Sequence, residues 1–357
     1  MKKKLLMLFV LLFAAFLVVG CSGDDTTSSS GEDTNTENND TSSDEGADEE
    51  EQELTEVKVG YMPNFASVNT VVAGMRTGAF EEEGIEVELV EFADGPTIIA
   101  ALESGSIDIG YIGPGAHVLP IQGKSVIFAW SQLGNADEVI GSKEKGVNEI
   151  EDLEGKTIGV ATGTSSEAIL DLTLQEAGLT KDDVTLMDMD ASAIVTAMIS
   201  GSVDAVATWS PNTNTIKQEL GDDAIMLANN ERFKDEFPSI ASWIVDASFA
   251  EEKSDLLERY TSGLYKASDY RVDNLDQVAE WVAEEIAVSA DSVLAQTSDG
   301  IWLTEDELIE MVESGEMKAL YEKQAENFVE AGRLTEDQVL PVEDYVLFDN
   351  MLNAATE

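Results

Sequence analysis

Histidine and cysteine occur once each, as His117 and Cys21, and proline only seven times in 357 residues. A single cysteine excludes an internal disulfide, and one of each excludes a zinc site built from Cys and His. A Ser–His–Asp mechanism would have to run through His117, and no nucleophile-elbow sequence stands near it. His117 is read as a packing residue or a local hydrogen-bonding group. No P-loop and no dinucleotide fingerprint occur; "GYIGPG" lacks the spacing. Bases are scarce as well, with 20 Lys and Arg against 72 Asp and Glu and a net charge of −52. That sign excludes nucleic acid as a partner. No catalytic residue, metal or cofactor is expected.

The amino-terminal residues carry what long apolar sequence there is. Lys2, Lys3 and Lys4 precede an apolar run from Leu5 to Val19, the pattern of an export signal. The run is shorter than the roughly 20 residues a membrane span needs. "Val18-Val19-Gly20-Cys21" resembles a bacterial lipobox, so residues 1–21 are read as a lipoprotein signal peptide ending at a lipidated Cys21. Residues 22–56 hold 14 Asp and Glu and no Lys or Arg. A segment so charged and so poor in apolar residues is expected to be a disordered tether. The body from Val57 to Glu357 keeps 58 acids against 17 bases, a net −41. Self-repulsion on that scale is screened at about 1 M salt, where the Debye length is about 3 Å, and the surface is read as halophilic.

Inside the body, "DGPTIIAALESGSIDIGYIGPG" (Asp94 to Gly115) matches "DASAIVTAMISGSVDAVATWSP" (Asp190 to Pro211). Each copy reads as a capped helix, a glycine stop, a short strand and a turn into another helix. With "VKVGYMPN" ahead of the first copy and "TIGVATGTSSE" ahead of the second, both halves alternate strand and helix, which predicts parallel sheets flanked by helices. From about Ala250 the pattern becomes helical, with turns at Asn274 and Ser289 and with Trp281, Leu308 and Tyr321 as core residues.

Ligands of open α/β sheets bind beyond the carboxyl ends of the strands. Four such ends are legible: Tyr61 to Asn64, Gly113-Pro114-Gly115 with His117, Thr162 to Glu167, and Trp209 to Asn212. In "TGTSSE", Thr164 and Glu167 have capping-box spacing. Gly163, Ser165 and Ser166 admit a second reading, an anion site at a helix start where backbone donors and the helix dipole converge. None of the four turns holds Lys or Arg, which suits a singly charged oxyanion. Tyr61, Tyr111, Trp130, Trp209 and Trp243 are candidates for walling in a small organic body.

"EDLEGKTIGVATGTSSEAILDLTLQEAGL", "AMISGSVDAVATWSPN" and "IAALESGSIDIGYIGPG" resemble the solute-binding proteins of ABC importers, in the branch serving aliphatic sulfonates, taurine and nitrate. The resemblance implies a two-lobed α/β fold of the periplasmic-binding-protein type II, with the ligand cleft between the lobes. It assigns residues 57–138 to lobe 1, 139–240 to lobe 2, and 241–357 to the completion of lobe 1 and carboxyl-terminal helices. The chain crosses between lobes near Trp130 to Gly141 and Phe237 to Asp246. It further implies a monomer, a permease with its ATPase as partners, a lipid anchor on the extracytoplasmic face of the membrane, and a small organic anion as ligand. A nitrate-like anion, a pyrimidine precursor or a sensory role stay open. The expected ligand residues are Tyr61, Asn64, Gly113, Pro114, Gly115, Trp130, Gly163, Thr164, Ser165, Ser166, Asp190, Trp209 and Asn212. In taurine-binding relatives an acid often follows the tryptophan; here Ser210 does, leaving Asp190 as the candidate partner for an ammonium group.

Overall fold

The computed structural model describes residues 54–234 and 236–355. The signal peptide, Cys21 and the acidic segment up to residue 53 lie outside the described residues. Thr55 and Glu56, read from sequence as the end of that segment, are instead the first residues of a strand. Among the described residues no helix is long and apolar enough to cross a membrane.

Among the described residues, eleven strands make two mixed sheets. They are β1 (Thr55–Tyr61), β2 (Ile85–Glu91), β3 (Ile109–Ile112), β4 (Val126–Gly134), β5 (Asp137–Ser142), β6 (Thr157–Val160), β7 (Thr185–Asp188), β8 (Ala205–Trp209), β9 (Ala224–Asn229), β10 (Ile240–Val245) and β11 (Gly300–Ile301). The first sheet runs β11-β4-β10-β3-β1-β2 and the second β7-β6-β8-β5-β9. Within each, three strands are parallel and the next is antiparallel: β2, β1 and β3 with β10, and β7, β6 and β8 with β5. The antiparallel strand has in each case just arrived from the other sheet, β5 through Asn135 and Ala136 and β10 from β9. The result is the two-lobed α/β fold, with helices packed on both sheets.

Sequence explains the joints. Asn64 caps helix Phe65–Thr77 by accepting the Ser67 amide at 2.9 Å, and Gly78 ends it in a left-handed conformation at φ 82°, a cap geometry glycine adopts without a Cβ penalty. Val68 and Val72 on that helix are buried with Ala267 of the 20-residue helix Ser254–Asp273 and Val278 of its neighbour Leu275–Glu285. Each such side chain, removed from water, contributes about 1.5–3 kcal/mol. The helix boundaries at Asn274 and Ser289 stand as read, Ser289 accepting the Ser292 amide. Leu308 and Tyr321 are core; Trp281 is partly buried and stacks on Tyr270 with centroids 5.5 Å apart.

Candidate functional site

All four strand ends anticipated from sequence meet at one place. Met62 and Asn64 after β1, Gly113 and Pro114 after β3, Thr164 and Ser165 after β6, and Trp209 and Ser210 at the end of β8 line a cavity of about 70 Å³. Gln132, Gly134, Ala136 and Asp137 add the first crossing, and Gln296 and Asp299 arrive from the carboxyl-terminal region. Six of the expected ligand residues are therefore brought together: Asn64, Gly113, Pro114, Thr164, Ser165 and Trp209.

The other seven lie elsewhere. Tyr61 is buried in the core between helix Phe65–Thr77 and the tail helices. Trp130 packs edge-on against Tyr321 at 5.8 Å. Asp190 is exposed and spends Oδ1 on capping helix Ala191–Ile199, accepting the Ala193 amide at 2.9 Å. Asn212 donates to the Thr208 hydroxyl at 3.3 Å. Ser166 is fully buried behind the lining. Gly163 and Gly115 hold the walls together. Gly163 has φ 84°, and a Cβ there would stand 3.1 Å from Pro96 Cγ. A Cβ on Gly115 would meet the Thr164 carbonyl carbon at 2.0 Å, so the missing side chain is what lets the turn after β3 lie on the turn after β6.

The stretch "TGTSSE" differs from both sequence readings. The Thr164 hydroxyl donates to Ala161 O at 2.7 Å and makes no cap bond. Glu167 accepts the Gly163 amide at 2.7 Å, one residue ahead of the N-cap Thr164, so neither bond of a capping box forms. The hydroxyls of Ser165 and Ser166 both donate to Oδ1 of Asp137, at 2.8 and 2.6 Å. Asn230 Nδ2 supplies a third donor to Oδ2 at 3.1 Å, its orientation fixed because Asn230 Oδ1 accepts the Asp137 amide at 2.7 Å. The donors read from sequence as an anion site are thus turned onto the protein's own carboxylate. Burial pushes the Asp137 carboxyl up, and Ser166, Ser165 and Asn230 pull against that shift.

A second acid completes the electrostatics. Asp299 is held by its main chain, whose carbonyl accepts the Asn135 amide at 2.7 Å. Burial raises its carboxyl to about 6 against a hydrogen bond from Ser210. Its Oδ2 is buried with no partner. Among the described residues that line the cavity, none is Lys, Arg or His. On the floor, Tyr111 accepts Gln132 Nε2 at 2.6 Å and packs edge-on to Trp243 at 5.5 Å.

Two supports stand outside the lining. His117 is fully buried; with burial lowering it to about 4 it is neutral, so Nδ1–H donates to Gly113 O at 3.1 Å and Nε2 accepts from Ser242 at 2.9 Å. Ser242 in turn pairs with Tyr321 at 2.7 Å. This chain fixes the turn after β3, in keeping with the local role read from sequence. Arg333 reaches Gly115 O at 3.3 Å and Glu167 Oε2 at 3.7 Å, joining the turns of the two sheets. Burial pushes the Glu167 carboxyl up, but Lys181, the Gly163 amide and Arg333 outweigh it and hold it below its usual range.

Sequence reasoning missed Gln132, Asp137, Gln296 and Asp299. Asp137 leaves one signal, an acid opening the apolar strand "DEVIGS"; Gln296 and Asp299 leave none, since they reach the cavity only through packing of the tail.

Among known proteins, the chain is 33% identical over 294 residues to a protein described as a binding protein in Brucella abortus, covering 82% of this chain and 90% of that one. It is 26% identical over 203 residues to the taurine-binding periplasmic protein of Escherichia coli, covering 55% of this chain and 61% of that one. The alkanesulfonate-binding protein of Xanthomonas axonopodis pv. citri, solved bound to MOPS, has the same fold, with a TM-score of 0.63 at 19% identity over 82% of this chain and 98% of that one. A family model described as "NMT1/THI5 like" matches residues 64–277, more than half of the sequence, and the chain belongs to the NMT1/THI5-like family.

Proposed function

We propose that this protein is the solute-binding component of an ABC-type importer, capturing a small organic solute of the sulfonate and taurine class between its two lobes and handing it to a membrane permease. One observation carries the reading: four strand ends, two from each sheet, converge on one cavity with an aromatic wall at Trp209. Convergence of strand carboxyl ends is where open α/β sheets take ligands, and the relatives bearing sulfonate and taurine names share this family and fold. Lipid attachment at Cys21 would hold the chain at the extracytoplasmic face of the membrane, and Cys21→Ala should release it without unfolding.

Calorimetric titration against aliphatic sulfonates, taurine, nitrate and pyrimidines at high salt tests the reading. One-to-one saturable binding of at least one of them is expected; heat from none would refute it. The acidic surface supports a saline habitat, and the melting temperature should rise between about 0.05 and 1 M salt as the Debye length shrinks from roughly 13 to 3 Å. A flat or falling response would contradict that.

A further inference from the structure

The cavity contains an unanswered acid. Asp137 has three donors on its two oxygens. Asp299 has the Ser210 hydroxyl on one side, while its Oδ2 is buried without any donor. The charged groups facing Asp299 are Glu138 and Asp137 on β5 and Lys217 on helix Asn212–Leu220. Lys217 is already engaged by Glu138 at 2.7 Å, and among the described lining residues neither Asp137 nor Asp299 has a basic partner. A buried carboxylate oxygen without a donor costs free energy that a ligand can recover by bringing one. Trp209, on the same lining, offers an aromatic face, which attracts cations. A ligand that was anionic throughout would meet two carboxylates and no basic side chain.

We propose that Asp299, acting with Asp137, is the specificity-determining acid of the cavity, selecting solutes that carry a protonated amine. The assignment rests on the solute-binding reading above and narrows it: an aminosulfonate zwitterion is admitted, and its des-amino counterpart is discriminated against. The sulfonate end of such a zwitterion has two helix first turns on the same lining, at Ala66 and at Gly95, where the amides and the helix dipole favour an anion.

A matched pair of probes tests this, taurine and ethanesulfonate, which differ by the amino group. Wild type should bind taurine at least about 10-fold more tightly, a difference of about 1.4 kcal/mol. Asp299→Asn should erase that preference by weakening taurine and leaving ethanesulfonate unchanged or tighter, while Asp299→Glu should keep it. Thermal melts of each variant confirm that the fold is intact, and Asp137→Asn provides a second arm with the same expected direction. Taurine affinity should also rise as pH goes from about 5 to about 7.5, because the acid must be ionised to receive an ammonium. A protonated acid donating to an anion would give the opposite slope. Equal or tighter binding of ethanesulfonate, an unchanged preference in Asp299→Asn, or affinity falling with pH would each overturn the assignment while leaving the solute-binding reading standing. Binding of no solute from the wider panel would overturn both.

Discussion

Two copies of one motif, Asp94 to Gly115 and Asp190 to Pro211, are built with the same parts and finished differently. Asp94 and Asp190 both cap their helices, accepting the Thr97 and Ala193 amides at 2.9 Å. Gly105 and Gly201 both turn with positive φ, 70° and 68°. Ser104 pairs with Ser106 at 2.8 Å, and Ser200 with Ser202 at 2.9 Å. Asp108 and Asp204 each accept, at 2.9 Å, the amide of a residue in the neighbouring parallel strand, Lys58 in one sheet and Thr157 in the other. The turns that end the two copies part company: Gly113-Pro114-Gly115 against Trp209-Ser210-Pro211. The shared devices set each sheet's architecture, and the divergent ends form the cavity. Scaffold and site can therefore be broken separately.

The largest effect should come from the divergent end of the first copy. Gly115→Val places side-chain atoms where Thr164 backbone now lies, so the two turns must separate. Affinity for the bound solute should fall by about 100-fold, read by calorimetry, together with a lower melting temperature, because the clash is with backbone atoms. A stability loss without an affinity loss would make Gly115 a scaffold residue like the rest of its copy.

Breaking the shared part comes next. Asp108→Ala and Asp204→Ala each remove a charged acceptor from a strand amide and should each cost about 1.5–3 kcal/mol in denaturant unfolding. The two losses should agree within about 1 kcal/mol and should leave affinity nearly unchanged. A large asymmetry would mean that the copies no longer share a structural role. A smaller effect is expected at the strap between sheets. Arg333 lies outside the cavity lining but bonds to both turns; Arg333→Gln should weaken binding about 10-fold through faster release, measured by stopped-flow dissociation. The smallest effect belongs to the matched glycines. Gly105→Ala and Gly201→Ala should each cost about 1 kcal/mol, because an L-residue resists positive φ, and no backbone atom crowds either position.

The same division governs how much of the molecule its sequence reveals. Caps, glycine stops and strand ends are local devices, so the repeat exposed both sheets and the four turns that line the cavity. Asp137 and Asp299 are not local. One stands on a strand that has just changed sheets, and the other on a loop pinned to Asn135 by a backbone hydrogen bond. No periodicity encodes those approaches. "TGTSSE" teaches a related point: sequence shows that Ser165 and Ser166 are donors, but which acceptor they meet is settled by the strand that passes beside them, and Asp137 lies there. The capping box at Thr164 fails for an equally local reason, since the hydroxyl finds Ala161 O within its own turn.

The central claim, that the meeting of the divergent strand ends is a solute-binding cavity, is tested most directly by blocking it. Ala136 lines the cavity from the crossing between the sheets, and Ala136→Phe fills the space a solute would take. Taurine titrated calorimetrically into wild type should saturate at one molecule per chain, and the same titration into Ala136→Phe, with unchanged far-ultraviolet circular dichroism, should give no binding heat. Taurine binding that survives Ala136→Phe at the wild-type affinity would contradict the account.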